Sequence, residues 1–400
     1  MSGGVKVHKS LIKKSILLLV LLTLLLGYTA ITQANTIEMI EVFFQEELEA
    51  EHFTEQVLQQ ASVAQLTEIR AEYTDGLGDF KDVEIVNEAN HIYNVYFSEG
   101  VIELQFVVNE NNEIAGLYFI SITELSGDIL EIVSEFENLE GDINLLLTRD
   151  GEELASINPD SKLAVGSTFK IAVLAELNRS INAGKRDWAD VVQLNDHHKS
   201  LPSGQLQNWP AGTYLTLDTL ANLMISISDN TATDILIEEL GRQNIEEYID
   251  YAGPFLKTRE AFKLKDPANH ELLEKYRTAD LQDKYEILAE VDDKELPSTT
   301  IFDRVRAIDI EWYFTAYELA ELMHQVKDLD AMAINPGVAS KSNWKHIAYK
   351  GGSEPGVYNL TTWLKAEDGT EYFLTATWNN DDLLDEEKFT RLYRNLIGNL

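Results

Sequence analysis

Cysteine is absent from all 400 residues. Disulfides and a lipid-bearing cysteine are therefore excluded, and a chain of this length can stand on its hydrophobic core without cross-links. Positive charge is scarce: 32 lysines and arginines face 68 acidic residues, a formal charge of −36. Such a chain repels nucleic acid and anionic membrane surfaces, so neither is expected as a partner. The excess reads as a solvated acidic coat suited to salty or extracytoplasmic surroundings rather than as a specific cation site. Internal repeats and low-complexity linkers are missing too. With 44% hydrophobic residues, the composition is that of a globular protein and not of a disordered, collagen-like or multi-span membrane chain.

The apolar run from Ile16 to Leu26 is short for a spanning helix, which needs about 20 residues. Lys6, Lys9, Lys13 and Lys14 precede it, and Thr32 and Ala34 follow. That is a signal-peptide layout, so residues 1–34 are expected to be removed and the protein to be exported, periplasmic or secreted. An uncleaved N-terminal anchor is the alternative.

The remaining length suits two domains. From Thr36 to about Arg70 apolar residues recur at three- and four-residue steps, a helical period. Residues 82–121 then read as four strands, with turns at Ser98-Glu99-Gly100 and at Asn109 to Asn112, so 35–140 is expected to be a compact α+β domain. No serine, histidine or cysteine constellation stands out in it. In 141–400, DINLLLTRDGEELASINPD reads as a hairpin turning at Asp150-Gly151. The stretch from Thr168 to about Leu329 is mostly helical, KHIAYKGGS, VYNLTTWLKA and EYFLTATWNN are strands, and Glu386 to Leu396 is a closing helix. A sheet drawn from both ends of this unit, with a helical lobe beside it and a cleft between, follows.

Within VGSTFKIAVLAELN, Ser167 and Lys170 are spaced i, i+3 and share one face of a helix. A lysine held neutral by desolvation can take the serine proton and make a nucleophile. At the helix N-terminus the serine's own N–H faces a developing oxyanion. The pattern alone is cheap, since Ser10/Lys13 and Ser342/Lys345 repeat it and serine is a common helix cap. Further on, Ser228-Asp229-Asn230 falls between two helical stretches, where a hydroxyl can relay a proton and an amide can hold a substrate carbonyl. Its competing reading is a polar cap, and Ser-x-Asn also occurs at Ser156 and Ser180. Lys350-Gly351-Gly352 then ends a strand; the glycines let a substrate backbone approach, and the lysine offers a charge for a carboxylate.

Ser-x-x-Lys, Ser-Asp-Asn and a Lys-Gly box, in this order, resemble the three motifs of class A β-lactamases and penicillin-binding proteins. The resemblance covers Asp142 to Leu400. KSLPSGQLQNWPAG and PFLKTREAFKLK are similar to two-domain serine hydrolases with an NTF2-like N-terminal domain, typified by the esterase-like protein of clavulanic-acid gene clusters. It implies a β-lactamase-like domain with an antiparallel sheet, flanking helices and a helical lobe, in an α+β and α/β chain. It further implies Ser167 as nucleophile, Lys170 as its base and Ser228 as proton relay. Asn230 would hold the substrate amide, Lys350 its carboxylate, and the N–H groups of Ser167 and Ser353 the oxyanion.

Two departures stand out. Gly351 replaces the hydroxyl residue of Lys-Thr-Gly or Lys-Ser-Gly, leaving Ser353 as the candidate for that contact. No Glu-x-x-Leu-Asn follows Asn230 to activate a deacylating water; Glu260, Glu271 and Glu274 lack its flanking pattern. The acidic segment from about Glu271 to Ser298 reads as a surface excursion rather than a lid. Asp196-His197-His198 is not taken as a metal site, because adjacent histidines point apart on regular backbone. Trp209 and Tyr358 are candidate cleft walls. The expectation is a hydrolase without metal or cofactor, acting through an acyl-enzyme on small β-lactams or related cyclic amides and esters. The alternatives are a penicillin sensor that stays acylated and a cell-wall D-Ala peptidase or esterase.

Overall fold

The computed structural model of the protein describes residues 33–125, 127–250 and 253–400. All but the last two residues of the expected signal segment, 1–34, thus lie outside the described residues. None of the described helices is long and apolar enough to cross a membrane. The chain divides into two compact units between Gly127 and Asp128.

In the first unit, helices α1 (Gln33–Gln45), α2 (Glu55–Gln60) and α3 (Val63–Thr74) precede four strands, β1 (Phe80–Asn87), β2 (Ile92–Phe97), β3 (Gly100–Val108) and β4 (Ile114–Glu124). These pair antiparallel in sequence order. Local chemistry sets the helix ends: Thr54 accepts from the Val57 N–H, and Ser62 with Gln65 forms a capping box. Arg70 of α3 donates to the Phe43 and Glu46 carbonyls, 2.7 Å each, closing the orphaned end of α1. Alternation along β3 buries Ile102, Leu104 and Phe106 against Phe43 and Phe53.

The second unit opens with α4 (Ile129–Glu137), capped by Asp128. The boundary expected at residue 140 would assign this helix to the first domain, but Ile132 and Phe136 pack into the second unit's core, Phe136 edge-on to Phe389 at 5.1 Å. Strands β5 (Asp142–Arg149), β6 (Glu152–Ile157), β7 (His346–Glu354), β8 (Val357–Lys365) and β9 (Glu371–Asn379) make one antiparallel sheet in the order β7-β8-β9-β5-β6. The sheet is drawn from both ends of the unit, as its sequence pattern predicts. Its period of two separates the faces. Leu145, Leu147, Leu374 and Ala376 meet α4 and the final helix, Glu386–Gly398. Leu146, Trp363 and Phe373 meet the helical lobe.

That lobe contains α5 (Lys170–Asn182), α6 (Leu217–Ser226), α7 (Asn230–Leu240) and α8 (Thr258–Lys265). The acidic segment expected on the surface forms two further helices, α9 (His270–Thr278) and α10 (Leu281–Asp292). Leu272, Leu273 and Tyr276, and then Ile287, Leu288 and Val291, recur at helical spacing and are buried, so acidic outer faces disguise a packed pair. The lobe ends with α11 (Ala316–Val326), so the helix Glu386–Gly398 is α12.

Phe136→Ala is expected to weaken the second unit by about 3–5 kcal/mol, the usual cost of emptying a buried phenylalanine site. Urea unfolding followed by tryptophan fluorescence checks it.

Candidate active site

Ser167 lies on a tight turn, Gly166–Phe169, that runs directly into α5. Buried polar side chains of the sheet pin this turn. Asn379 donates to the Ala164 carbonyl (2.9 Å) and accepts the Ala164 N–H (2.8 Å), while the Thr168 hydroxyl donates to Asn359 (2.7 Å). On the other side Phe169 stacks on Trp312 with ring centres 3.9 Å apart. The turn also touches β7 backbone to backbone. A Cβ on Gly352 would lie 2.1 Å from the Val165 carbonyl and 2.6 Å from the Ser167 nitrogen. One on Gly166, at φ +49°, would lie 3.2 Å from the Ser353 nitrogen. The backbone nitrogens of Ser167 and Ser353 therefore both lie at this one contact.

Lys170, one helical turn from Ser167, is buried and spends its ammonium on its neighbours. It donates to the Ser228 carbonyl (2.6 Å), the Ser228 hydroxyl (3.0 Å) and Asn230 Oδ1 (2.7 Å). Its three hydrogens are thereby used, and none is left for Ser167. Ser228 joins α6 to α7 in left-handed conformation, φ +56°. Asp229 beside it caps α7 by accepting from the Ala232 N–H and also holds the Gln205 and Leu206 amides. Asn230 donates to the Leu201 carbonyl (3.1 Å), so both ends of its amide are engaged within the protein. From the opposite side, buried Lys350 donates to the Ser228 hydroxyl at 3.1 Å and to the Gly351 carbonyl.

Two lysines thus share one serine oxygen. Burial lowers the Lys170 pKa well below the usual lysine range, and the charge of Lys350 lowers it further; Asp229, Asp234 and Glu354 oppose the shift. Burial brings Lys350 down to about 7. The Ser353 hydroxyl donates to Glu386 at 2.7 Å.

Two adjoining cavities meet at Ser167. One, about 460 Å³, is lined by Ser203, Asn230, Phe262, Phe302, Glu354 and Glu386 among others. The second, about 370 Å³, includes Ser228, Lys350, Gly351, Gly352 and Tyr358. Tyr358 is thus a cleft wall, whereas Trp209 packs against the helical core.

The model of Beta-lactamase2, the beta-lactamase enzyme family, matches residues 124–382. The chain belongs to that family. Beta-lactamase 1 of Streptomyces cacaoi is 31% identical over 102 residues, which are 24% of this chain. The match spans about a third (31%) of that relative's length. Among solved structures, a β-lactamase from Sphaerobacter thermophilus overlays at TM-score 0.48 and 21% identity, covering 67% of this chain and 93% of the other. PBP-A overlays at TM-score 0.46 and 16% identity, with the same shares covered.

In this family member the glutamates weighed from the sequence lie elsewhere. Glu260 is buried in an ion pair with Arg242 (2.6 Å) and caps α8; Glu271 is exposed, and Glu274 pairs with Arg277. The carboxylates that do line the Ser167 cavity, Glu354 and Glu386, escaped the sequence because no motif marks them. His197 and His198 do not point apart, since their backbone is a 3-10 turn, and both reach Glu238. His198 Nδ1 accepts the Asn195 N–H, which leaves the proton on Nε2, and Lys257 pairs with Glu238 at 2.6 Å. This is an ionic cluster whose donor atoms are already committed.

Two outcomes follow. Gly352→Ala should cost about 1–3 kcal/mol from overpacking and slow acylation roughly 100-fold by spreading the two amides. Thermal unfolding and the rate of mass-detected adduct formation read both effects. A lysine whose folded pKa is depressed penalises the folded state when charged; the penalty is full below the folded value and relieved as pH rises towards the unfolded one. Stability should therefore rise between about pH 7 and pH 10. Lys350→Met should flatten that rise by on the order of 1–3 kcal/mol in urea midpoints taken at pH 7 and 9.

Proposed function

We propose that the protein is an acyl-serine hydrolase that opens β-lactams or related cyclic amides and esters. The observation that carries this reading is the convergence of Lys170 and Lys350 on the Ser228 hydroxyl, in the same cleft as Ser167. Ser167 Oγ attacks the carbonyl carbon while its proton passes to Lys170, which in its neutral form gives up one of its three donor contacts and so frees a lone pair to accept it. The negative oxygen rests on the Ser167 and Ser353 amides. Ser228, linked to both lysines, delivers a proton to the leaving nitrogen or oxygen as that bond breaks. Water then attacks the acyl-enzyme ester, releasing the acid and restoring the Ser167 hydroxyl. Asn230 braces Lys170 in this scheme and helps align the substrate amide, and Lys350 supplies the positive end of the cleft.

A second reading, a sensor that stays acylated, is favoured by one observation: Glu260 is locked against Arg242 and so is withheld from a deacylating water. For the rest of the chain we infer a signal segment at 1–34, an NTF2-like domain from residue 35 to Gly127 and the hydrolase from Asp128 onward. The protein would be exported and would belong with the two-domain esterase-like hydrolases. The helices-then-meander order of the first unit supports that domain reading.

Incubation with a chromogenic cephalosporin, as its free acid and as its methyl ester, followed by colour and by intact mass, tests the reaction. Colour without a lasting adduct is the expected outcome, and Ser167→Ala should abolish turnover by at least about 1000-fold. A persistent adduct without turnover selects the sensor; adduct on Ser167→Ala refutes the nucleophile.

A further inference from the structure

The cleft carries an arrangement of charge that bears on which substrates it admits, given the acyl-serine reading above. A substrate carboxylate beside β7 would need donors there. Gly351 has no hydroxyl, and the Ser353 hydroxyl is already donated to Glu386 at 2.7 Å. Lys350 gives hydrogens to Ser228 and Gly351. Among the described residues lining the two cavities, Lys350 is the single cation, while Glu354 and Glu386 add carboxylates. These two are not equivalent. Glu354 is ion-paired with Lys265, which also binds Glu311. Glu386 has no ion-pair partner among the described residues and sits in the first turn of α12, where the helix end favours negative charge.

We propose that Glu386, acting directly and through Ser353, is the specificity determinant of the cleft: it rejects substrates with an anionic group next to the reacting carbonyl and selects uncharged esters and amides. A like charge placed beside a half-buried carboxylate is strongly unfavourable, and the serine proton that would otherwise greet a carboxylate points the other way. The apolar walls of the same cavity, Phe262, Phe302 and Leu384, match an uncharged body.

Titration supports the same assignment. Burial raises the Glu386 pKa, and the hydrogen bond from Ser353 opposes the shift. The groups around it are Tyr358 on β8, whose hydroxyl pairs with Thr390, Glu354 tied to Lys265, and on its own helix Glu387, which pairs with Arg391. Acidification therefore neutralises Glu386 and relaxes its discrimination. Lys350, brought down to about 7 by burial, also gains charge on acidification and also favours anions, so only the difference between wild type and a Glu386 variant isolates the carboxylate.

The test uses one chromogenic cephalosporin as its free acid and as its methyl ester, which differ in charge at one group. Binding is measured by calorimetry in the full-length Ser167→Ala protein, with and without Glu386→Gln. The ester should bind more tightly than the acid, and Glu386→Gln should shrink that preference about tenfold. A preference unchanged within about twofold, or one already favouring the acid, overturns the proposal. Glu387→Gln, one residue along, should leave the preference as it was. If Glu386→Gln does not fold, the pH dependence of the preference in Ser167→Ala carrying Lys350→Met, which removes the competing titration, decides: it should fall on acidification, and a flat profile overturns the proposal. Since binding needs no chemistry, absence of an adduct on wild-type Ser167 would refute the acyl-serine reading alone and leave the charge selection to stand or fall on these affinities.

Discussion

The whole active site hangs on two backbones that touch. Gly166 and Gly352 let the nucleophile turn lie against β7 with no side chain between them, and a methyl group on Gly352 would overlap the Val165 carbonyl. Everything else aligns to that contact. It brings the Ser167 and Ser353 amides together, sets Lys350 opposite Lys170, and leaves Ser228 as the hydroxyl both can reach. Because packed interiors tolerate little change in volume, the contact behaves as a fixed hinge pin rather than an adjustable gap.

The polar face of the sheet keeps this contact in register. Asn359, Thr361, Thr375 and Thr377 are fully buried yet linked by hydrogen bonds across β8 and β9, and Asn359 passes the chain on to Thr168. Buried polar groups are costly unless paired, so a completed network of this kind admits few alternative arrangements. The apolar work is done on the other face and in the helical lobe, which leaves the site-facing surface free to be specific.

Much of this was legible in the sequence. Period-two strands, the Asp150-Gly151 turn and the capped helix that follows Asp229 are local signals, and local signals survive in one dimension. The placement of Ser167, Ser228 and Lys350 in one cleft was readable because three short motifs occur together in one order. What was not readable depends on pairs distant along the chain. Glu386 has no flanking pattern, and its bond to Ser353 exists only once α12 lies beside β7. The helices α9 and α10 were obscured because acidic residues dominate their outer faces while six apolar residues do the packing. His197 and His198 converge because the backbone there coils tightly, which adjacent-residue geometry on regular backbone does not anticipate.

The sheet that takes its strands from both ends of the unit has a consequence for the order in which the protein comes into being. Ala164, at the threshold of the nucleophile turn, is held by the side chain of Asn379, 215 residues later. The turn cannot be clamped until that residue has been synthesised, and β7, β8 and β9 arrive together after the helical lobe. A nascent chain therefore carries Ser167 and Lys170 before it has Ser353 or Lys350. The Ser167 turn is locked only after Asn379 has been made.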